Sequence, residues 1–111
     1  SAHENFKQRI INSSEGDTQL TMKQLTPVRL IKNKFFNEVI AAEQRGASNE
    51  EMVSLLGRAR AKRGMFEGDL DEGELEIGQV SASIKNIRPA AYILKDLWQE
   101  YLDTKAKLCN T

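Results

Sequence analysis

Residues 66–79 hold three glycines and six carboxylates in fourteen positions, Phe66-Glu67-Gly68-Asp69-Leu70-Asp71-Glu72-Gly73-Glu74-Leu75-Glu76-Ile77-Gly78-Gln79. Glycine opens backbone angles closed to other residues and lets another chain segment or a ligand come close, so this stretch reads as a shaped loop that feeds the helix after it. Any fold for this chain must be built around that loop.

The rest of the composition narrows the field. A chain of 111 residues is one domain's worth or a fragment of a larger enzyme. Sixteen basic residues balance sixteen acidic ones, so no global field draws in nucleic acid or a membrane surface. The single cysteine, Cys109, has no internal disulfide partner, which fits a reducing compartment. No apolar run approaches the length of a membrane span and the N-terminus carries no signal-peptide pattern, so the expected location is cytoplasmic.

The periodicity predicts a mainly α chain of about five helices and one short strand. Phe6, Ile10 and Ile11 share a helix face, which the turn formers after Asn12 must end. The run from Thr18 to Met22 is the one strand candidate. Thr26-Pro27 reads as a helix start, and Val28, Ile31, Phe35 and Val39 then build an apolar face as far as Gly46. Ser48-Asn49-Glu50-Glu51 matches a capping box for a helix that breaks at Gly57. A basic turn follows from Arg58 to Arg63, then the loop, then a short helix from Gln79 to about Lys85. Arg88-Pro89 begins the last helix, with Ala90, Leu94, Leu97, Trp98 and Tyr101 as its buried stripe and a tail that frays after Lys105.

Most apparent motifs fail on chemistry. His3-Glu4 starts like a zinc-protease helix, but Lys7 stands where the second histidine is required. Asp69-Leu70-Asp71-Glu72-Gly73 lacks a calcium loop's third ligand before its glycine, and Gln79 occupies the position of its closing glutamate. Gly73 and Gly78 have P-loop spacing, but Gln79-Val80 replaces the phosphate- and magnesium-binding pair. No metal site is expected. Arg58, Arg60 and Arg63 could contact a phosphate through their guanidinium groups, although such a surface is more often simply solvated. Glu74 and Glu76 could do acid–base work only if buried, and the default for alternate positions on an extended loop is water on both.

Three motifs in order, Ala2-His3-Glu4-Asn5-Phe6-Lys7, Pro27-Val28-Arg29-Leu30-Ile31-Lys32-Asn33, and Glu67-Gly68-Asp69 through Gly73 to Gly78-Gln79, resemble the C-terminal third of the nitronate monooxygenase (2-nitropropane dioxygenase) family. The related flavin-dependent enoyl-acyl-carrier-protein reductase II looks similar over the same stretch. The resemblance implies an FMN flavoprotein built as a TIM (β/α)8 barrel with a helical lid. It divides the chain into residues 1–25, a barrel-side helix and connecting strand; 26–78, a lid segment and the acidic return loop; and 79–111, helices that pack back on the barrel. The family's FMN phosphate loop and catalytic histidine lie upstream of the matched region, so no catalytic residue falls in this chain and His3 is expected to be structural.

The same resemblance places Leu75, Glu76, Ile77, Gly78 and Gln79 on the lid-to-barrel return that faces flavin and substrate. It implies an oxidoreductase, a monooxygenase that oxidises a small nitronate with O2, whose partners are that substrate and the rest of its own barrel. Exposed apolar faces would favour self-association. Reduction of an enoyl thioester with NAD(P)H is the alternative, and the polar Glu76 with Ile77, where reductase relatives are often apolar, argues against an acyl thioester. A non-enzymatic helical interaction module that buries its amphipathic faces against itself or a partner is the alternative of another class.

Overall fold

The computed structural model describes residues 1–110 and is mainly helical. Thr111, the end of the third expected segment, lies outside the described residues. In chain order the elements are α1 (Glu4–Ile11), β1 (Thr18–Thr21), β2 (Val28–Ile31), α2 (Lys34–Gln44), α3 (Asn49–Leu56), α4 (Arg60–Met65), a 3-10 helix (Gln79–Ser83) and α5 (Ala90–Cys109). Five α-helices are as expected. The strand content is not.

Val28–Ile31 forms a strand where the periodicity predicts the start of a helix. It pairs antiparallel with β1, Thr18 opposite Ile31 and Thr21 opposite Val28. The other edge of β2 is also covered: the Ile31 amide donates to the Leu75 carbonyl at 2.9 Å and the Ile77 amide to the Arg29 carbonyl at 3.1 Å. Residues 75–77 thus act as a third strand, and β2 lies in the middle. Leu30 joins one apolar cluster, with Phe35, Val39 and Met52, and Ile31 joins another, with Phe6 and Leu75. A strand buried on both faces loses the alternation that marks strands, so Val28, Ile31, Phe35 and Val39 imitate helical spacing across a strand–helix boundary.

The cap confirms where that boundary falls. Asn33, not Thr26, begins α2, and its Oδ1 accepts from the Phe36 amide at 2.8 Å. Ser48 caps α3 as expected, accepting from the Glu51 amide at 3.2 Å, but Glu51 turns its carboxylate to Arg45 instead of closing the box. Gly57, at φ 61°, ends α3 as the sequence predicts.

The last helix differs from expectation in two ways. It remains helical to Cys109 with no fraying after Lys105, and its stripe is bare: Leu94 is 67% exposed and Trp98 62%. Twenty residues of helix span about 30 Å, and α5 stretches a body whose extents are 56 × 31 × 21 Å. Trp98 and Tyr101 stack on each other, ring centroids 5.2 Å apart, outside any core. No helix among the described residues is long and apolar enough to cross a membrane.

Candidate functional site: the acidic loop and the groove it borders

The basic turn and the acidic loop solve each other's electrostatics. Arg63 meets Asp69 at 2.7 Å, Lys62 meets Glu67 at 3.5 Å, and Lys34 pairs with Glu72. Arg60 donates to the Glu72 carbonyl at 2.8 Å while its guanidinium lies 4.5 Å over the Phe35 ring. Asp69 also accepts from the backbone amides of Glu72 and Asp71, and those bonds, with Arg63, hold its carboxyl below the usual range. Its partner Lys34 likewise holds Glu72 low, with Arg63 and Arg60 assisting.

Glycine is required at two points of this packing. A Cβ on Gly73 would lie 2.3 Å from the Cα of Gly64, so α4 and the loop touch backbone to backbone. Gly68, at φ 79°, leaves room for the His3 ring. His3 caps α1, its Nδ1 accepting from the Asn5 amide at 3.0 Å, and its own amide donates to the Met65 carbonyl at 2.7 Å. Asn5 then donates to the Gly68 carbonyl at 3.0 Å. The expected structural role of His3 is therefore a clamp on this loop.

Beyond the clamps, Glu74 and Glu76 border a groove of about 620 Å³ between the β1–β2 turn, the end of α3 and the start of α4. Met22, Leu25, Pro27, Val28, Val53 and Leu56 supply its apolar walls, and Arg60 is its one basic lining residue. The volume suits a small ligand. Met22 (φ 54°) and Ala59 (φ 62°), the non-glycine residues with left-handed backbone among those described, both line it. Such strain persists where the surroundings over-determine it, and it gathers at functional sites.

The two carboxylates differ. Burial, then the neighbouring charge of Glu76 and a hydrogen bond to it, push the Glu74 carboxyl up to about 7, with Arg60 pulling the other way. The expectation of two freely solvated carboxylates therefore fails at Glu74. Burial was the missing information, and it comes from the pairing of residues 75–77 with β2, which sequence patterning did not reveal.

The five residues assigned to the lid-to-barrel return lie on different sides of it. Leu75 is buried against Phe6 and Ile31, and Ile77 is half-buried beside the same cluster. Glu76 lines the groove, Gly78 is exposed at the start of the 3-10 helix, and Gln79 borders a smaller hollow of about 370 Å³ with Glu15 and Val80. Of the three arginines, Arg60 lines the groove, Arg63 is taken up by Asp69, and Arg58 is exposed outside the groove lining. Arg60 and Arg63 are thus engaged by the acidic loop. The apolar walls can cover a ligand's body.

No curated protein matches the chain. Among solved structures it is similar to FabK from Thermotoga maritima, with 27% identity and a TM-score of 0.84 over 99% of this chain and 35% of that one. It is also similar to the M276A mutant of the same protein, with 27% identity and a TM-score of 0.76 over 99% of this chain and 32% of that one. The chain thus spans about a third of the length of these structures. A family model described as NMO, nitronate monooxygenase, matches residues 1–100. The chain belongs to the nitronate monooxygenase family, a family of flavin-dependent oxidoreductases.

Proposed function

We propose that this chain is the C-terminal part of an FMN-dependent nitronate monooxygenase, in which it covers the flavin and substrate pocket of a TIM barrel. The observation that carries the reading is the family match over residues 1–100. Bound FMN supplies the electron chemistry, and residues outside this chain hold its phosphate. This chain supplies shape: a return segment fixed to β2, a groove wall of Glu74, Glu76 and Arg60, and a helix that docks on the barrel. The bare stripe of α5 supports that docking and disfavours a self-contained interaction module, whose faces would be covered.

Likeness to FabK supports a second reading, flavin-dependent reduction of an enoyl-acyl-carrier-protein thioester with a nicotinamide donor. The test uses the intact flavoprotein with two assays. Oxygen uptake with a short alkyl nitronate, without NADH or NADPH, supports the first reading. Nicotinamide oxidation that depends on an enoyl thioester, with no nitronate-dependent oxygen uptake, replaces it with the second.

A further inference from the structure

We propose that the groove bordered by Glu74 and Glu76 is a binding site for a small organic cation, a primary alkylammonium ion with an unbranched apolar tail. The walls call for the tail. Met22, Leu25, Val28, Val53 and Leu56 line a space of about 620 Å³, and Val53 is left 57% exposed. That volume suits a short hydrocarbon chain, whose transfer from water to such walls is favourable.

The rim calls for the positive charge. Along an extended segment alternate side chains share a face, so Leu75 enters the core while Glu74 and Glu76 both border the groove. Elsewhere on the acidic loop Glu67, Asp69 and Glu72 each hold a basic partner, whereas neither Glu74 nor Glu76 forms a salt bridge among the described residues. Arg60, the one basic residue of the lining, is already engaged: it donates to the Glu72 carbonyl at 2.8 Å, lies 3.6 Å from the Glu72 carboxylate and covers the Phe35 ring. The β1–β2 turn and the end of α3 bring no charged side chain to the groove. An ammonium group carries three hydrogens to donate, and two carboxylates on one rim can accept them. An anionic head would meet two like charges there, and a hydroxyl would leave both unneutralised. The missing cation also shows at Glu74, whose carboxyl is pushed up to about 7 by burial and then by the charge of Glu76.

The inference rests on the groove alone and is independent of the flavin reaction. Its test is a titration of the intact protein, its methionines methyl-labelled for NMR, with hexylammonium, hexanol and hexanoate at about pH 8, where a primary ammonium keeps its proton. The Met22 methyl reports from the groove, and the Met65 methyl, beside the other apolar cluster, is the control. The expected result is saturable movement of Met22 without Met65, with hexylammonium bound about tenfold or more tightly than hexanol and hexanoate not bound. Glu74→Gln and Glu76→Gln each remove one charge and keep the walls, so each should reduce the preference for hexylammonium by about threefold or more and leave hexanol binding unchanged. If hexanol binding is lost in a variant, its groove has not formed, and the wild-type comparison decides. Hexylammonium bound no more tightly than hexanol, Met22 unmoved by all three compounds, or a preference undiminished in both variants would overturn the site.

Discussion

The side-chain amide of Asn33 donates to the Gly73 carbonyl at 2.8 Å, across forty residues of sequence. The same nitrogen donates to the Leu70 carbonyl at 2.9 Å, while Oδ1 caps α2. One residue thus joins the start of a helix to the tightest point of the acidic loop, and every hydrogen-bonding site of its amide hydrogens is used. Asn33→Ala removes a cap and leaves two carbonyls short of a partner, for an expected loss of about 2–3 kcal/mol. Asn33→Asp retains the cap and loses only the donors, so urea unfolding should place it between wild type and the alanine variant.

Backbone contact between α4 and the loop predicts a sharp contrast among glycines. Gly73→Ala forces a Cβ to within 2.3 Å of Gly64 backbone and should cost about 3 kcal/mol. Gly78→Ala meets open space at an ordinary φ and should stay within about 0.5 kcal/mol. Chemical denaturation of the two variants checks the difference.

Acid and base act on this loop in opposite directions. Asp69 and Glu72, held low by their partners, contribute stability above the usual carboxylate range that is lost as pH falls through their lowered values. Glu74 is held high, so its contribution is complete below about 4.5 and is lost as pH rises through about 7. Glu74→Gln cannot ionise. Its melting temperature relative to wild type should therefore rise across that interval, and thermal melts from about pH 5 to pH 8 measure it.

The apolar face of α5 gives a prediction about the intact protein. If Trp98 and Leu94 pack there against the barrel, Trp98→Ala should cost about 3–5 kcal/mol and Leu94→Ala about 2–5 kcal/mol. Changes below about 0.5 kcal/mol in both, as for surface positions, would mean that the stripe remains in water.

How far the sequence was legible follows from what each signal depends on. Local chemistry was readable: the Ser48 cap, the Gly57 break and the loop at residues 66–79 need only their own neighbours. Contacts between distant segments were not. Val28–Ile31 reads as helix because both of its faces are covered, one by α2 and the other by Phe6 and Leu75. Arg60 and Arg63 read as a solvated surface that could contact a phosphate, and only the fold sets Glu72 and Asp69 against them. Glu74 stands apart from Glu76 only once burial is known. The three resemblance motifs meet at the acidic loop, His3 and Asn5 on Gly68 and Asn33 on Gly73.

The central claim, that this chain closes the pocket of an FMN oxidoreductase, is tested most directly by the visible spectrum of the purified intact protein together with identification of whatever cofactor acid releases from it. The account predicts a yellow protein with the two-banded absorption of an oxidised flavin and free FMN in the supernatant. A colourless protein that takes up no FMN when it is supplied would contradict it.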